Sequence, residues 1–101
     1  MLNTVYNYLA KNKLYDIKVF NTDVLDVDFI IIVTVISQKQ INEIGMKLLK
    51  FVRNKYKLTC LSLCGVNTGW LVVDLNLIVV HIMLHDIQSL YKLEELYIRY
   101  S

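Results

Sequence analysis

The sequence predicts a single α/β domain spanning residues 1–101: a mixed five-stranded sheet with helices mainly on one face. Three observations predict it. The β-branched, almost continuously apolar run Val27 to Thr34 is followed by a helical pattern opening at Ser37 and then by an alternating run at 59–64. That order is strand, helix, strand. Two further alternating runs, 68–74 and 77–84, flank a short turn at Leu75-Asn76. A chain of 101 residues has room for one core only.

The elements follow in order. Asn3 to Lys13 places Val5, Tyr8 and Leu9 at helical spacing, with Leu2 and Tyr6 nearby. Tyr15 to Phe20 alternates, with Tyr15, Ile17 and Val19 on one side and Asp16 and Lys18 on the other, as expected of a strand near a sheet edge. Residues 21–26 form a turn region. Val27 to Thr34 is the best candidate for a central strand buried on both faces. Ser37-Gln38-Lys39-Gln40 has the capping-box pattern, in which the Ser hydroxyl accepts from the third helical amide. Ile41, Ile44, Gly45, Leu48, Val52 and Tyr56 then form an apolar stripe, with Lys47, Lys50, Asn54 and Lys57 on the other side. A Gly inside that stripe costs about 1 kcal/mol relative to Ala, which a close approach to the sheet would explain. The strand at 59–64 should run parallel to the strand at 27–34.

The last two strands suggest a hairpin with Leu75-Asn76 as its two-residue turn. Asp74 then faces Leu77, Val72 faces Val79, and Trp70 faces His81. Residues directly opposite share a face. One face is Leu71, Val73, Ile78, Val80 and Ile82, wholly aliphatic, and should meet the helices. The other is Trp70, Val72, Asp74, Leu77, Val79, His81 and Met83, a mixed surface on which function is sought. The tail from Asp86 to Tyr100 has a helical pattern, with Asp86 placed as its N-cap.

Composition narrows the classes. Hydrophobic residues make up 55% of the chain, which excludes intrinsic disorder. A mean hydropathy of +0.43 implies a nearly fully buried sheet or apolar surface covered by a partner. The longest uncharged apolar stretch, Phe29 to Ile36, is too short for a membrane span. The first residues have no small-residue cleavage site and lack the charge order of a signal peptide, so a cytoplasmic location is expected. Cys60 and Cys64 are the only cysteines. Four residues apart on one strand they are roughly 13 Å apart, whereas a disulfide needs Cα atoms within about 7 Å. They are therefore expected to be small strand residues, commonly buried. Charge is uneven: Ser37 to Lys57 carries six basic side chains against Glu43 alone, and Trp70 to Ser101 carries four acidic against two basic.

Candidate chemistry is sparse. Asp26 and Asp28 flank Val27 at a strand start, an arrangement nucleotidyltransferases use to hold magnesium. Those enzymes also need an upstream Gly-Ser turn, and no Gly precedes Gly45. His81 and His85 are four apart, but one reads as a strand residue and the other lies near the next helix start, so no metal site is expected. Gly65-Val66-Asn67-Thr68-Gly69 lacks the spacing and the Lys of a phosphate loop. Lys47 and Lys50, on the basic helix face, could touch RNA phosphates. No catalytic constellation or cofactor site stands out.

The carboxy-terminal third adds a resemblance. Trp70-Leu71-Val72-Val73-Asp74, then Ile78-Val79-Val80-His81-Ile82-Met83, then Leu90-Tyr91-Lys92-Leu93-Glu94-Glu95-Leu96-Tyr97 resembles the signature of the ribosomal silencing factors, the Iojap-related family. That signature has W-x-V-x-D, a short turn, V-V-V-H, and Y-x-L-E-x-L-W. Upstream, Val27 to Thr34 after Asp28, and the capped helix from Ser37, are similar to the family's strand and helix. The chain departs from the pattern at Thr34-Val35-Ile36-Ser37, where the family has Thr-Gly-x-Ser, and at Gln38-Lys39-Gln40, where it has Ser-Arg-His. It also has Asn76 for a turn Gly and Tyr97 for the closing Trp.

The resemblance implies a nucleotidyltransferase-like fold without catalytic residues. It implies binding to the large ribosomal subunit through its protein fourteen at the intersubunit face, where the bound factor blocks joining of the small subunit and represses translation under nutrient limitation. It also implies a homodimer when free. The partner-binding residues are then expected to be Trp70, Asp74, His81, Tyr91 and Glu94, with ribosomal RNA contact from Lys47 and Lys50. Two rivals belong to other classes: a diverged nucleotidyltransferase using Asp26 and Asp28, and an RNA-binding module using the basic helix 37–57.

Overall fold

A computed structural model describes residues 2–12, 14, 16–21, 27–57, 61–66, 68–75 and 77–87. Helix α1 is Leu2–Ala10, strand β1 Asp16–Asn21, strand β2 Phe29–Val35, helix α2 Gln38–Tyr56, and strands β3, β4 and β5 are Ser62–Cys64, Trp70–Asp74 and Ile78–Leu84. The five strands form one sheet in the order β1-β2-β5-β4-β3. β2 and β5 are parallel, and the other three pairings are antiparallel. This is the mixed five-stranded α/β domain the sequence predicts. Tyr15, the turn 22–26, residues 58–60 with Cys60, Asn76 and the tail beyond residue 87 with Tyr91 and Glu94 lie outside the described residues.

Both helices cover the same sheet face. Val5 and Leu9 of α1 and Ile41, Ile44, Leu48 and Val52 of α2 pack with Ile31, Val33, Val35, Leu71, Val73, Ile78, Val80 and Ile82. Tyr8 of α1 stacks on Phe51 of α2, ring centroids 4.3 Å apart, which ties the helices to each other. Burying each of these aliphatic side chains contributes about 1.5–3 kcal/mol. The start of α2 is capped as expected, Ser37 Oγ accepting from the Gln40 amide at 3.1 Å. The β1 edge position expected from its alternation also holds, with Val19 37% exposed.

β3 runs parallel to β2, as expected, with β5 and β4 between them, so the hydrogen-bonded parallel neighbour of β2 is β5. Two expectations are corrected. The hairpin register differs by two residues: Asp74 pairs with Val79, Val72 with His81, and Trp70 with Met83. The chain reverses between Leu75 and Ile78, the Leu75 amide donating to the Ile78 carbonyl at 2.8 Å. That placement buries Leu75 and Ile78 in the core and leaves Leu77 half exposed. A two-residue slip preserves the alternation, so the face assignments survive it. Finally, helical backbone begins at His85, which puts Asp86 inside the first turn instead of at the cap.

Gly45 shows why the stripe of α2 contains a helix-weakening residue. A Cβ at this position would overlap Leu71 Cδ2, while meeting Ile82 at ordinary contact distance. Gly45→Ala should therefore lower stability by about 1 kcal/mol net, overpacking outweighing the gain in helix propensity. In a Leu71→Ala background, where the overlap is gone, the same change should be neutral or stabilising. Urea unfolding midpoints of the four proteins check this.

Candidate functional site on the open sheet face

The face turned away from the helices is a grid set by strand register. One row across it is Lys18, Ile32, His81, Val72 and Cys64; a second is Phe20, Ile30, Val79, Asp74 and Ser62; a third is Asp16, Thr34, Met83 and Trp70. Its middle is closed. Ile30, Ile32 and Met83 form a second, smaller core, against which Phe20, Val27, Trp70 and Ile87 pack. Its β4–β3 side is open: Asp74, Ser62 and Cys64 are exposed, and Val72 and Val79 half-buried. Leu77 is 50% exposed at the hairpin turn. The exposed Cys64 corrects the expectation of a buried strand cysteine; on a three-residue edge strand little can cover it.

Trp70 stands where the closed and open parts meet, and it is held from two sides. Its amide donates to Thr68 Oγ1 at 3.4 Å, and that hydroxyl donates to the Gly65 carbonyl at 2.6 Å. Gly69, at φ +83, turns the chain into β4, and its carbonyl accepts from the Leu84 amide at 2.9 Å. The indole Nε1–H donates to His81 Nδ1 at 2.9 Å, the rings lying 5.9 Å apart at 51°. The expected Trp70–His81 pairing on one face is thus present, as a diagonal instead of a direct cross-strand pair.

His81 itself is 7% exposed. It was expected among the partner-facing residues, yet its ring sits between Ile32 and Val72 and beneath the surface. Burial pushes its pKa from 6.5 down to about 4, because the charged imidazolium would lose its hydration. The neutral ring accepts at Nδ1 and carries its proton on Nε2. Among the described residues no buried side-chain nitrogen or oxygen lacks a hydrogen-bond partner.

The remaining candidates are scattered. Asp28 is exposed at the start of β2, and its amide donates to the Leu77 carbonyl at 2.8 Å, tying that strand to the hairpin turn. Asp26 lies outside the described residues. His85 Nδ1 is 3.8 Å from the Asp86 carboxylate. Among the described residues no cluster of three or more His, Cys, Asp or Glu could hold a metal ion. No helix among them is long and apolar enough to cross a membrane. Lys47 and Lys50 are exposed on α2, on the opposite side of the sheet from Trp70. The sequence reading missed Ser62 and Cys64 as neighbours of Val72 and Asp74, because nothing local encodes that β3 pairs with β4.

The low pKa of His81 makes stability depend on pH. The folded-state value lies below the unfolded one, so the unfolded chain takes up the proton first as pH falls. The stability associated with a neutral His81 is fully present above pH 6.5 and is lost as pH falls through about 4. Relative to His81→Leu, which cannot titrate, the wild type should lose about 3 kcal/mol between pH 7 and pH 4. Denaturant unfolding of both proteins across that range measures it.

A solved structure of a protein from Chromobacterium violaceum superposes with a TM-score of 0.82 at 22% sequence identity, covering 95% of this chain and 82% of that one. Another from Bacillus halodurans gives 0.78 at 28% identity, covering 95% and 91%. No curated protein matches the sequence. The family model described as ribosomal silencing factor during starvation matches residues 1–101. With that match running the length of the sequence, the chain belongs to the ribosomal silencing factor family, whose members are ribosome-associated regulators of translation.

Proposed function

We propose that this chain, acting as one domain, binds the large ribosomal subunit through its protein fourteen at the intersubunit face and sterically prevents the small subunit from joining. The observation that carries this reading is the family match over residues 1–101. The open part of the sheet face supports it. An aromatic side chain, the half-buried Val72 and Val79, and the exposed Asp74 make an apolar centre with an acidic rim, the anatomy of a protein-binding patch. Asp74 is the acid placed to meet a basic ribosomal protein, and Tyr91 and Glu94 of the tail are further partner contacts in this proposal. The activity is steric, takes place in the cytoplasm, and uses no cofactor, metal or catalytic residue. The free protein is a homodimer.

The basic face of α2 is the alternative docking surface, reaching ribosomal RNA through Lys47 and Lys50. Because it lies on the other side of the sheet from Trp70, a flat partner cannot cover both. Mutation of one face at a time therefore separates the two readings.

Co-sedimentation of folded variants with purified large subunits is the test. Trp70→Ala should weaken binding by more than about 1–2 kcal/mol, the range of an interface hot spot. Asp74→Lys should weaken it further at low salt than at high salt. Lys47→Glu with Lys50→Glu should matter less. If the Lys pair abolishes binding while Trp70→Ala binds like wild type, the docking face is the helix. Asp26→Ala with Asp28→Ala should leave the block of subunit joining intact in gradient sedimentation; nucleotide transfer by the wild type that this pair abolishes would make the protein an enzyme.

A further inference from the structure

We propose that His81 does not contact the partner and is instead a positioning residue, whose Nδ1 fixes the Trp70 indole in the orientation that docks. The inference rests on the Trp70 reading above and deepens it. Three observations carry it. His81 is walled in by Ile32 on one neighbouring strand and Val72 on the other, and is 7% exposed, so little of its ring is left to touch another molecule. Its acceptor nitrogen is engaged by the indole N–H at 2.9 Å. The Trp70 backbone is separately pinned, through Thr68 Oγ1 and through the Gly69–Leu84 hydrogen bond. What remains undetermined by the backbone is rotation of the indole about its two side-chain torsions.

A neutral imidazole offers one acceptor, and an indole offers one donor and no acceptor. The pair is therefore satisfied in one relative orientation. A side chain held in its docking rotamer before the encounter does not lose that freedom on binding, which is worth a measurable factor in affinity. The partner would feel His81 only as the angle at which Trp70 is presented.

The chemistry supplies its own control. In His81→Asn the side-chain oxygen takes the place of Nδ1, one bond from Cγ, and still accepts. In His81→Leu the volume is largely kept and the acceptor is lost. Trp70 is the sole tryptophan, so ¹⁵N-labelled protein gives a single indole N–H signal without any ribosome present. That signal should sit downfield and exchange slowly in the wild type and His81→Asn, and move upfield with faster exchange in His81→Leu. Large-subunit binding should fall about tenfold in His81→Leu and stay within about threefold of wild type in His81→Asn. The double variant Trp70→Ala with His81→Leu should bind no worse than Trp70→Ala alone, because a residue acting through Trp70 has nothing to lose once Trp70 is gone.

Additive losses in the double variant would mean that His81 touches the partner, and would overturn the proposal. So would an indole signal unchanged by His81→Leu, or equal losses in the Leu and Asn variants. If Trp70→Ala binds like wild type, the docking face assigned to Trp70 falls instead, and the indole signal still decides whether His81 sets the ring.

Discussion

The parallel pairing of β2 with β5 joins strands separated in the chain by α2, β3 and β4, from Val35 to Ile78. Both strands are then buried on both faces. Nearly every side chain of these two strands is therefore apolar, Thr34 and His81 being the buried polar exceptions. One row meets the helices; the other carries Ile30, Ile32 and Met83, the small core of the opposite face. A slip of one residue in this pairing would exchange the rows and carry His81 to the helix side, away from Trp70. Architecture and the composition of the open face are thus consequences of one register. Contacts of such sequence separation also form late and slowly, because the loop must close before they are rewarded.

Much of this was legible in the sequence wherever a local period decided the matter. The α2 stripe, its Ser37 cap and the two-sided apolar run of β2 follow from spacing within a few residues, and the structure has them where they were expected. Gly45 was readable as a close approach, but not which side chain stands opposite; Leu71 is remote in sequence. The hairpin turn lies one residue further along than local spacing predicts, which shifts the register by two, because Asn is compatible with a turn in either placement. Burial of Leu75 and Ile78 decides between the placements, and burial is a tertiary property. For the same reason the neighbours of β2 could not be ordered: the helix that follows β2 suggests a parallel partner without saying which strand it is.

The candidate site divides in the same way. That Trp70 and His81 share a face follows from alternation alone, and survives the register error. That His81 is buried while Trp70 is only half so depends on flanking strands and on the side chains above them. The basic surface of α2 was legible as charge, and its place on the far side of the sheet follows from which helix face is apolar. It gives the domain two chemically distinct sides, and a field of that asymmetry can orient the molecule as it approaches a charged assembly even if only one side ends in contact.

The brevity of β3 has a consequence for self-association. A chain that is more than half hydrophobic and built on an open sheet has two unsatisfied margins at which another copy could add a strand. One margin is only Ser62–Cys64, too short to template a register. The other, β1, carries Asp16 and Lys18, which pair at 3.6 Å. A second copy approaching either margin would meet too few free amides or a pair of hydrated ions. Strand addition by another chain is thereby disfavoured at both margins of the sheet.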